Sequence, residues 1–299
     1  MLISREIDQA LGEVKQGRLR VDDGTELLYQ TFGSGPAVIF ANGIGVRYPG
    51  VVRQIAALRQ RYQVVTWDYR GMGQSVMPDG GDVSMARQAA DVAALIDGLK
   101  LNRPALIGWS MGVQVGLELL RLRSDSLCGF VALLGTYGRP FRNALPDLLA
   151  EGVERLVGLL HRLPAVAQGI LDVGVMLPDL THQLLSRLNF VGSNVDREVF
   201  AADMRCVAGA DKVNYTRTML ELASHNAEDV LDLVNCPTLV IAAEHDFLTP
   251  PHVAREMAAR IPNAAYQEIP GTHFALIEQA SAVNDLLLNF LDQTSAAGS

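Results

Sequence analysis

The sequence predicts an α/β fold with a mostly parallel central sheet, flanked by helices and interrupted by an all-helical insertion. Three observations carry this expectation. Continuous apolar runs, of the kind that strands buried on both faces require, recur at residues 37–41, 105–107 and 238–243. Stretches of helical periodicity separate them on a period of roughly 30 to 40 residues, and such alternation needs crossover connections and hence a parallel sheet. From about residue 138 to 230 the alternation stops, and only helical runs occur.

The elements follow in order. Residues 5–16 place Ile7, Leu11 and Val14 at helical spacing, which predicts a short amphipathic helix. Residues 18–21 and 26–32 read as two strands around the turn Asp22-Asp23-Gly24. After Gly33-Ser34-Gly35-Pro36 comes the buried strand 37–41, ending in Asn42-Gly43-Ile44-Gly45. A helix over 51–58, a strand over 62–67 and a glycine-rich loop from Asp68 to Ser75 come next. Ser84 can cap a helix running to Leu99, whose stripe is Ala90, Val92, Leu95 and Ile96. A strand at 105–107 and a helix from Met111 follow, then a strand over 130–134. The insertion contains helical runs at 145–163, 165–176, 180–188, 196–207 and 215–223. The alternation resumes with a strand at 238–243, a helix at 251–260, a strand at 265–269 and a last helix at 279–291, with residues 295–299 expected to fray.

With 299 residues, 49% of them hydrophobic, the chain can build one large domain carrying an insertion. The net charge of −8 argues against a nucleic-acid binder. Cys128, Cys206 and Cys236 are widely spaced, so neither a disulfide framework nor a zinc site is expected, and the sequence calls for no metal and no cofactor. The first twenty residues are charged throughout without an apolar core, and no 18-residue apolar stretch occurs; a signal peptide and a membrane span are not expected, and a cytoplasmic location is.

The chemistry centres on Gly108-Trp109-Ser110-Met111-Gly112, which stands between a buried strand and a helix. In that setting the G-x-S-x-G pattern is a nucleophile elbow: small residues permit a sharp turn that lifts the Ser110 hydroxyl out of the sheet, at a helix N-terminus where backbone N–H groups stabilise negative charge. A serine nucleophile needs a histidine base, and the base needs a carboxylate. Of the six histidines, His161, His182 and His225 fall in the insertion and His245 and His252 flank a strand end. His273 directly follows the last strand, where catalytic groups of parallel sheets gather, and is the candidate base. Asp246, in the loop after strand 238–243, is the candidate acid over its rival Glu244, because a residue further from the strand has more reach. The chain order Ser110, Asp246, His273 is that of this motif. An oxyanion hole needs two N–H donors; the candidates are the backbones of Met111 and Ile44, the latter between two glycines that permit close approach. Asn42 and Trp109 are candidates to line the substrate pocket.

These motifs together resemble the α/β-hydrolase superfamily over nearly the whole chain. Asn42-Gly43-Ile44-Gly45 is similar to the family's oxyanion loop, with Asn42 where histidine is usual, and residues 68–75 are similar to its D-x-R-G-x-G-x-S loop, where Asp68 and Arg70 are structural. The resemblance implies a core domain of residues 1–137 and 231–299 and a helical cap at 138–230. With serine rather than aspartate at the elbow, it implies acyl transfer, most simply hydrolysis of carboxylic esters of fairly apolar small-to-medium substrates. C–C bond hydrolysis, lactone opening, thioester cleavage and perhydrolysis use the same triad. Asn-Gly-Ile-Gly is similar to the corresponding loop of intracellular polyhydroxyalkanoate depolymerases, although the elbow differs from theirs. A non-enzymatic receptor on this fold is the reading from another class.

Overall fold

The computed structural model describes residues 11–297. Eight strands form one sheet in the order β1-β2-β4-β3-β5-β6-β7-β8, with β1 at Val14–Arg20, β2 at Glu26–Phe32, β3 at Ala37–Ala41, β4 at Gln63–Trp67, β5 at Ala105–Trp109, β6 at Gly129–Leu133, β7 at Thr238–Ala243 and β8 at Ala264–Ile269. The β1–β2 and β2–β4 pairs are antiparallel, and the remaining pairs are parallel.

Alternate residues of the central strands enter two apolar layers. Phe40, Ile107, Val131 and Ile241 face one side, and Ile39, Leu106, Ala132 and Val240 face the other. This two-sided burial is why these strands read as continuous apolar runs. Their carboxyl ends lie side by side: Ala41 pairs with Gly108, Trp109 with Leu133 and Ala243 with Ile269. The loops after β3, β5, β7 and β8 therefore share one edge of the sheet.

The structure departs from the sequence reading at both ends. Residues 14–16 belong to β1, which pairs with β2 from Val14↔Phe32 to Arg20↔Glu26, so cross-strand pairing overrides the helical spacing at Val14; Leu11 is helical, and residues 5–10 of the expected helix lie outside the described residues. The last helix runs over Ala280–Ala297, past the expected fraying point, and residues 298–299 lie outside the described residues. The cap on helix Met85–Gly98 is present: the Ser84 hydroxyl accepts from the Arg87 N–H at 3.3 Å.

Between residues 140 and 224 the chain forms helices at Pro140–Ala144, Asp147–Arg162, Pro164–Met176, Pro178–Arg187, Arg197–Gly209 and Lys212–Ser224. Three of them begin with proline, whose fixed φ and missing N–H suit a first helical position. Asp196 and Asp211 cap the last two through side-chain oxygens, and Lys212 Nζ donates to the carbonyls of Val207, Ala208 and Ala210 at 2.5–2.9 Å, satisfying a helix C-terminus. The two ends of this stretch are stitched together by the Gly138↔Asn226 bridge, by Arg139 N–H to the His225 carbonyl and by Ala227 N–H to the Tyr137 carbonyl.

Candidate active site

Ser110 sits between β5 and helix Met111–Leu122 with φ 55° and ψ −114°, a strained backbone for a residue with a Cβ. The turn is as tight as its glycines allow. A Cβ on Gly108 would stand 2.4 Å from the Gly112 carbonyl oxygen, and one on Gly112 would stand 2.1 Å from that of Ala41. The Ser110 N–H donates to the Leu133 carbonyl at 3.0 Å, which fixes the turn to β6.

The three residues named from the sequence meet at this point. His273 Nε2 lies 3.0 Å from Ser110 Oγ, and His273 Nδ1 lies 2.9 Å from Asp246 Oδ2. With a carboxylate at Nδ1, the ring carries its proton there and leaves Nε2 to accept from the serine hydroxyl. Asp246 and His273 are buried, at 2% and 7% exposure, whereas Glu244 is exposed. The His245 N–H donates to the Gly271 carbonyl at 3.0 Å, so the loops after β7 and β8 brace each other. The other histidines lie elsewhere. His245 and His252 are exposed, His161 meets Thr216, His182 meets Ser186, and His225 sits between Gln114 and Glu118.

The loop after β3 lies against the serine, since a Cβ on Gly43 would be 3.5 Å from Ser110 Cβ. The N–H groups of Ile44 and Met111 meet no acceptor among the described residues. The loop is held from behind. The Tyr69 hydroxyl donates to the Asn42 carbonyl at 2.9 Å, and Arg47 Nε donates to Asp68 at 2.8 Å. Burial alone would lower the Arg47 pKa; the Asp68 carboxylate outweighs it and raises it above the ordinary value. Burial pushes the Tyr69 hydroxyl far up, so it stays a neutral donor. Arg70, fully buried, makes two 2.7 Å bonds to Asp91 and one to Asp23 and anchors the next turn.

Two expected pocket residues are turned inward. The Asn42 side chain is 1% exposed and donates to Thr66 Oγ1 at 3.0 Å, which places it beneath the loop. Trp109, 2% exposed, packs behind the site with its ring 6.2 Å from that of His273 and 6.1 Å from that of Phe274. The residue of the loop that approaches Ser110 is Gly43.

Three features escaped the sequence reading. Thr249 Oγ1 donates to Asp246 Oδ2 at 2.6 Å, while Asp246 Oδ1 accepts the Leu248 and Thr249 N–H groups. The Asp-x-x-Thr spacing is the signal for this local motif. Glu278 accepts from Thr272 N–H and Oγ–H and from the Gly192 N–H, so it joins the His273 loop to the helical stretch. Phe190 and Phe200 of that stretch close on Phe274 at 5.7 and 5.3 Å, which makes an aromatic cluster beside His273. Phe200 also lines a cavity of about 320 Å³, together with Val175, His182 and Met204.

Sequence comparison agrees with this architecture. Residues 36–280 match the α/β hydrolase fold family, and the chain belongs to it. It is 28% identical over 281 residues to a candidate non-heme bromoperoxidase, BpoC, of Mycobacterium tuberculosis, covering 90% of this chain and 99% of that protein. It is 27% identical over 277 residues to a candidate carbamate hydrolase, RutD, of a Caulobacter species, covering 90% and 97%. Among solved structures it superposes on an enol-lactonase of Burkholderia xenovorans with a TM-score of 0.76 at 24% identity, covering 92% of this chain and 100% of the other. An esterase of Exiguobacterium antarcticum gives a TM-score of 0.77 at 18% identity, covering 93% and 100%. At these identities the structural likeness is one of fold.

Proposed function

We propose that this chain is a serine hydrolase that cleaves carboxylic esters of fairly apolar, small-to-medium molecules through an acyl-enzyme. The observation that carries the proposal is the continuous chain Asp246–His273–Ser110, with contacts of 2.9 and 3.0 Å at a strained elbow. Ser110 Oγ attacks the ester carbonyl carbon while His273 Nε2 takes its proton. Asp246 holds the ring orientation and stabilises the imidazolium. The carbonyl oxygen gathers negative charge between the Ile44 and Met111 N–H groups, at the positive end of helix Met111–Leu122. Collapse of the tetrahedral intermediate breaks the C–O bond, and His273 returns its proton to the leaving alkoxide. Water then attacks the acyl-enzyme with His273 again as base, and the acid leaves with Ser110 restored.

The helices of residues 138–230 act in this reading as a cap whose Phe190 and Phe200 exclude water beside His273. That apolar cluster favours an ester with an apolar acyl or alcohol group, working in the cytoplasm. The relatives named for lactone, carbamate and peroxidase chemistry keep lactones and carbamates as the second substrate set to assay. A fluorophosphonate probe should label the wild type at Ser110, and p-nitrophenyl esters should be turned over. Ser110→Ala should take no label and should lose roughly 10³-fold or more in kcat while retaining its fold. Near wild-type turnover in Ser110→Ala would remove the proposal.

A further inference from the structure

The helical stretch meets the rest of the chain at the Gly138↔Asn226 bridge and again through residues 190–196, which join helices Pro178–Arg187 and Arg197–Gly209. This second segment sits on the two loops that carry the base and the acid. Phe190 packs on Phe247, one residue past Asp246, at 5.6 Å, and on Phe274, one residue past His273, at 5.7 Å. Val191 and Val195 are buried in one of the two apolar layers, and Asp196 pairs with Arg53.

One carboxylate joins this segment to the base. Glu278 ends the short helix Ala275–Glu278, which starts two residues after His273. Its Oε1 accepts from the Gly192 N–H and from the Thr272 hydroxyl, both at 2.6 Å, and its Oε2 accepts from the Thr272 N–H at 2.9 Å. Both oxygens therefore face donors. A glutamine would turn its NH2 group either to the Gly192 N–H or to the Thr272 N–H, so an amide can serve one side but not both. The space is filled as well: a Cβ on Gly192 would stand 2.8 Å from Glu278 Cδ, and one on Gly271 would stand 2.7 Å from Glu278 Oε2. Thr272 directly precedes His273, so a shift of Glu278 shifts the backbone from which the base projects.

We propose that Glu278 is a positioning residue that couples the seating of residues 190–196 to the placement of His273. The proposal rests on the reading of His273 as the general base. With the segment seated, Gly192 supplies the third donor, and the carboxylate holds Thr272 where His273 Nε2 meets Ser110. With the segment lifted, the carboxylate loses that donor and Phe274 loses Phe190, so the base loop is held less firmly. Proton transfer is then efficient only when the segment closes beside the base, which keeps water away while the substrate is enclosed.

A double-mutant cycle on the whole chain tests the coupling. Gly192→Ala puts a methyl group against the carboxylate from the helical stretch and leaves Thr272, Glu278 and the triad in place. Glu278→Ala removes the link. Three measurements are compared: p-nitrophenyl butyrate kinetics, hydrogen exchange of peptides covering 188–196 and 270–274, and the downfield proton NMR signal of His273 Nδ1–H, which needs no turnover. Each single variant should lower kcat roughly tenfold with KM within a few-fold, speed exchange in both peptides and broaden the His273 signal. The double variant should be no worse than Glu278→Ala alone. Losses that multiply in the double variant would overturn the proposal, because the two residues would then act separately. So would a Gly192→Ala variant whose 188–196 peptide exchanges faster while its His273 signal and kcat stay at wild-type values. If circular dichroism shows that Glu278→Ala disturbs the fold, Glu278→Gln replaces it in the cycle. A wild type that shows the His273 signal but turns over no ester would remove the hydrolase reading, and the signal and the exchange rates would still decide the coupling.

Discussion

The Thr249 hydroxyl donates to Asp246 Oδ2 at 2.6 Å, on the same oxygen that faces His273 Nδ1 at 2.9 Å. Thr249 thus fixes the carboxylate that fixes the histidine. It touches no substrate and acts by positioning. A hydrogen bond to a charged group is worth about 1.5–3 kcal/mol, so Thr249→Val should lower kcat on a soluble ester by roughly tenfold or more, with KM little changed. Thr249→Ser keeps the donor and should restore most of the rate. Equal losses in the valine and serine variants would mean that the methyl group, and not the hydroxyl, matters.

Asp246 and Glu244 can be separated directly. The buried Asp246 carboxylate has four short contacts, and Glu244 is exposed. Asp246→Asn should reduce kcat on the order of 10⁴-fold, because the imidazole loses its correct tautomer. Glu244→Gln should change steady-state rates by less than about twofold. The reverse pattern would shift the acid by two residues along the loop.

Much of this arrangement was legible because it depends on local rules. Strands β2, β3 and β7 carry burial patterns that stop at turn residues, so their limits could be read from the chain. Ser110, Asp246 and His273 each follow a strand of the parallel part of the sheet, and that placement was visible from the alternation alone. What escaped the reading depends on contacts distant in sequence. β1 is defined by pairing with β2 and not by its own pattern, which leaves four of its seven residues exposed. Glu278 reaches Gly192 across 86 residues, and Phe200 reaches Phe274, with no periodicity to announce either. Asn42 and Trp109 show the converse: a place in the loop after β3 suggested the pocket for Asn42, and adjacency to the nucleophile suggested it for Trp109, but both side chains are buried, at 1% and 2% exposure, in the packing at the strand ends.

Asp203 gives a stability prediction with a definite sign. Its carboxyl, on helix Arg197–Gly209, is fully buried, and neither oxygen meets a partner. Burial raises its pKa well above the ordinary 3.8. The folded chain therefore holds a proton there that the unfolded chain releases, so this group makes folding less favourable as pH rises from about 4. Asp203→Asn removes the titration. Its Tm should exceed that of the wild type at pH 7, by roughly 2–4 °C for each kcal/mol recovered, and the gap should close as pH falls towards 4. A gap that does not change with pH would show that Asp203 does not take up a proton on folding.

The acyl group is where the aromatic cluster makes its strongest demand. Phe200 has Phe274, and through it His273, on one side, and on the other the cavity of about 320 Å³ bounded by Val175 and Met204. An acyl chain leaving Ser110 along this cluster would bury methylenes against aromatic and aliphatic side chains. Each buried CH₂ is worth about 0.8 kcal/mol, so two added carbons should raise kcat/KM by up to about tenfold until the space is filled. Butyrate to octanoate esters should then be preferred over acetate. Phe200→Ala removes the ring between the cluster and the cavity, and should move the optimum to longer chains while leaving the acetate rate within a few-fold of wild type. The two measurements answer different questions. If the wild type prefers acetate and declines steadily from there, the helices close the site down and the apolar-substrate reading fails. If the wild type prefers longer chains but Phe200→Ala leaves its optimum in place, the acyl group runs elsewhere along the cluster, and Phe190, packed on Phe274 at 5.7 Å, becomes the ring to remove.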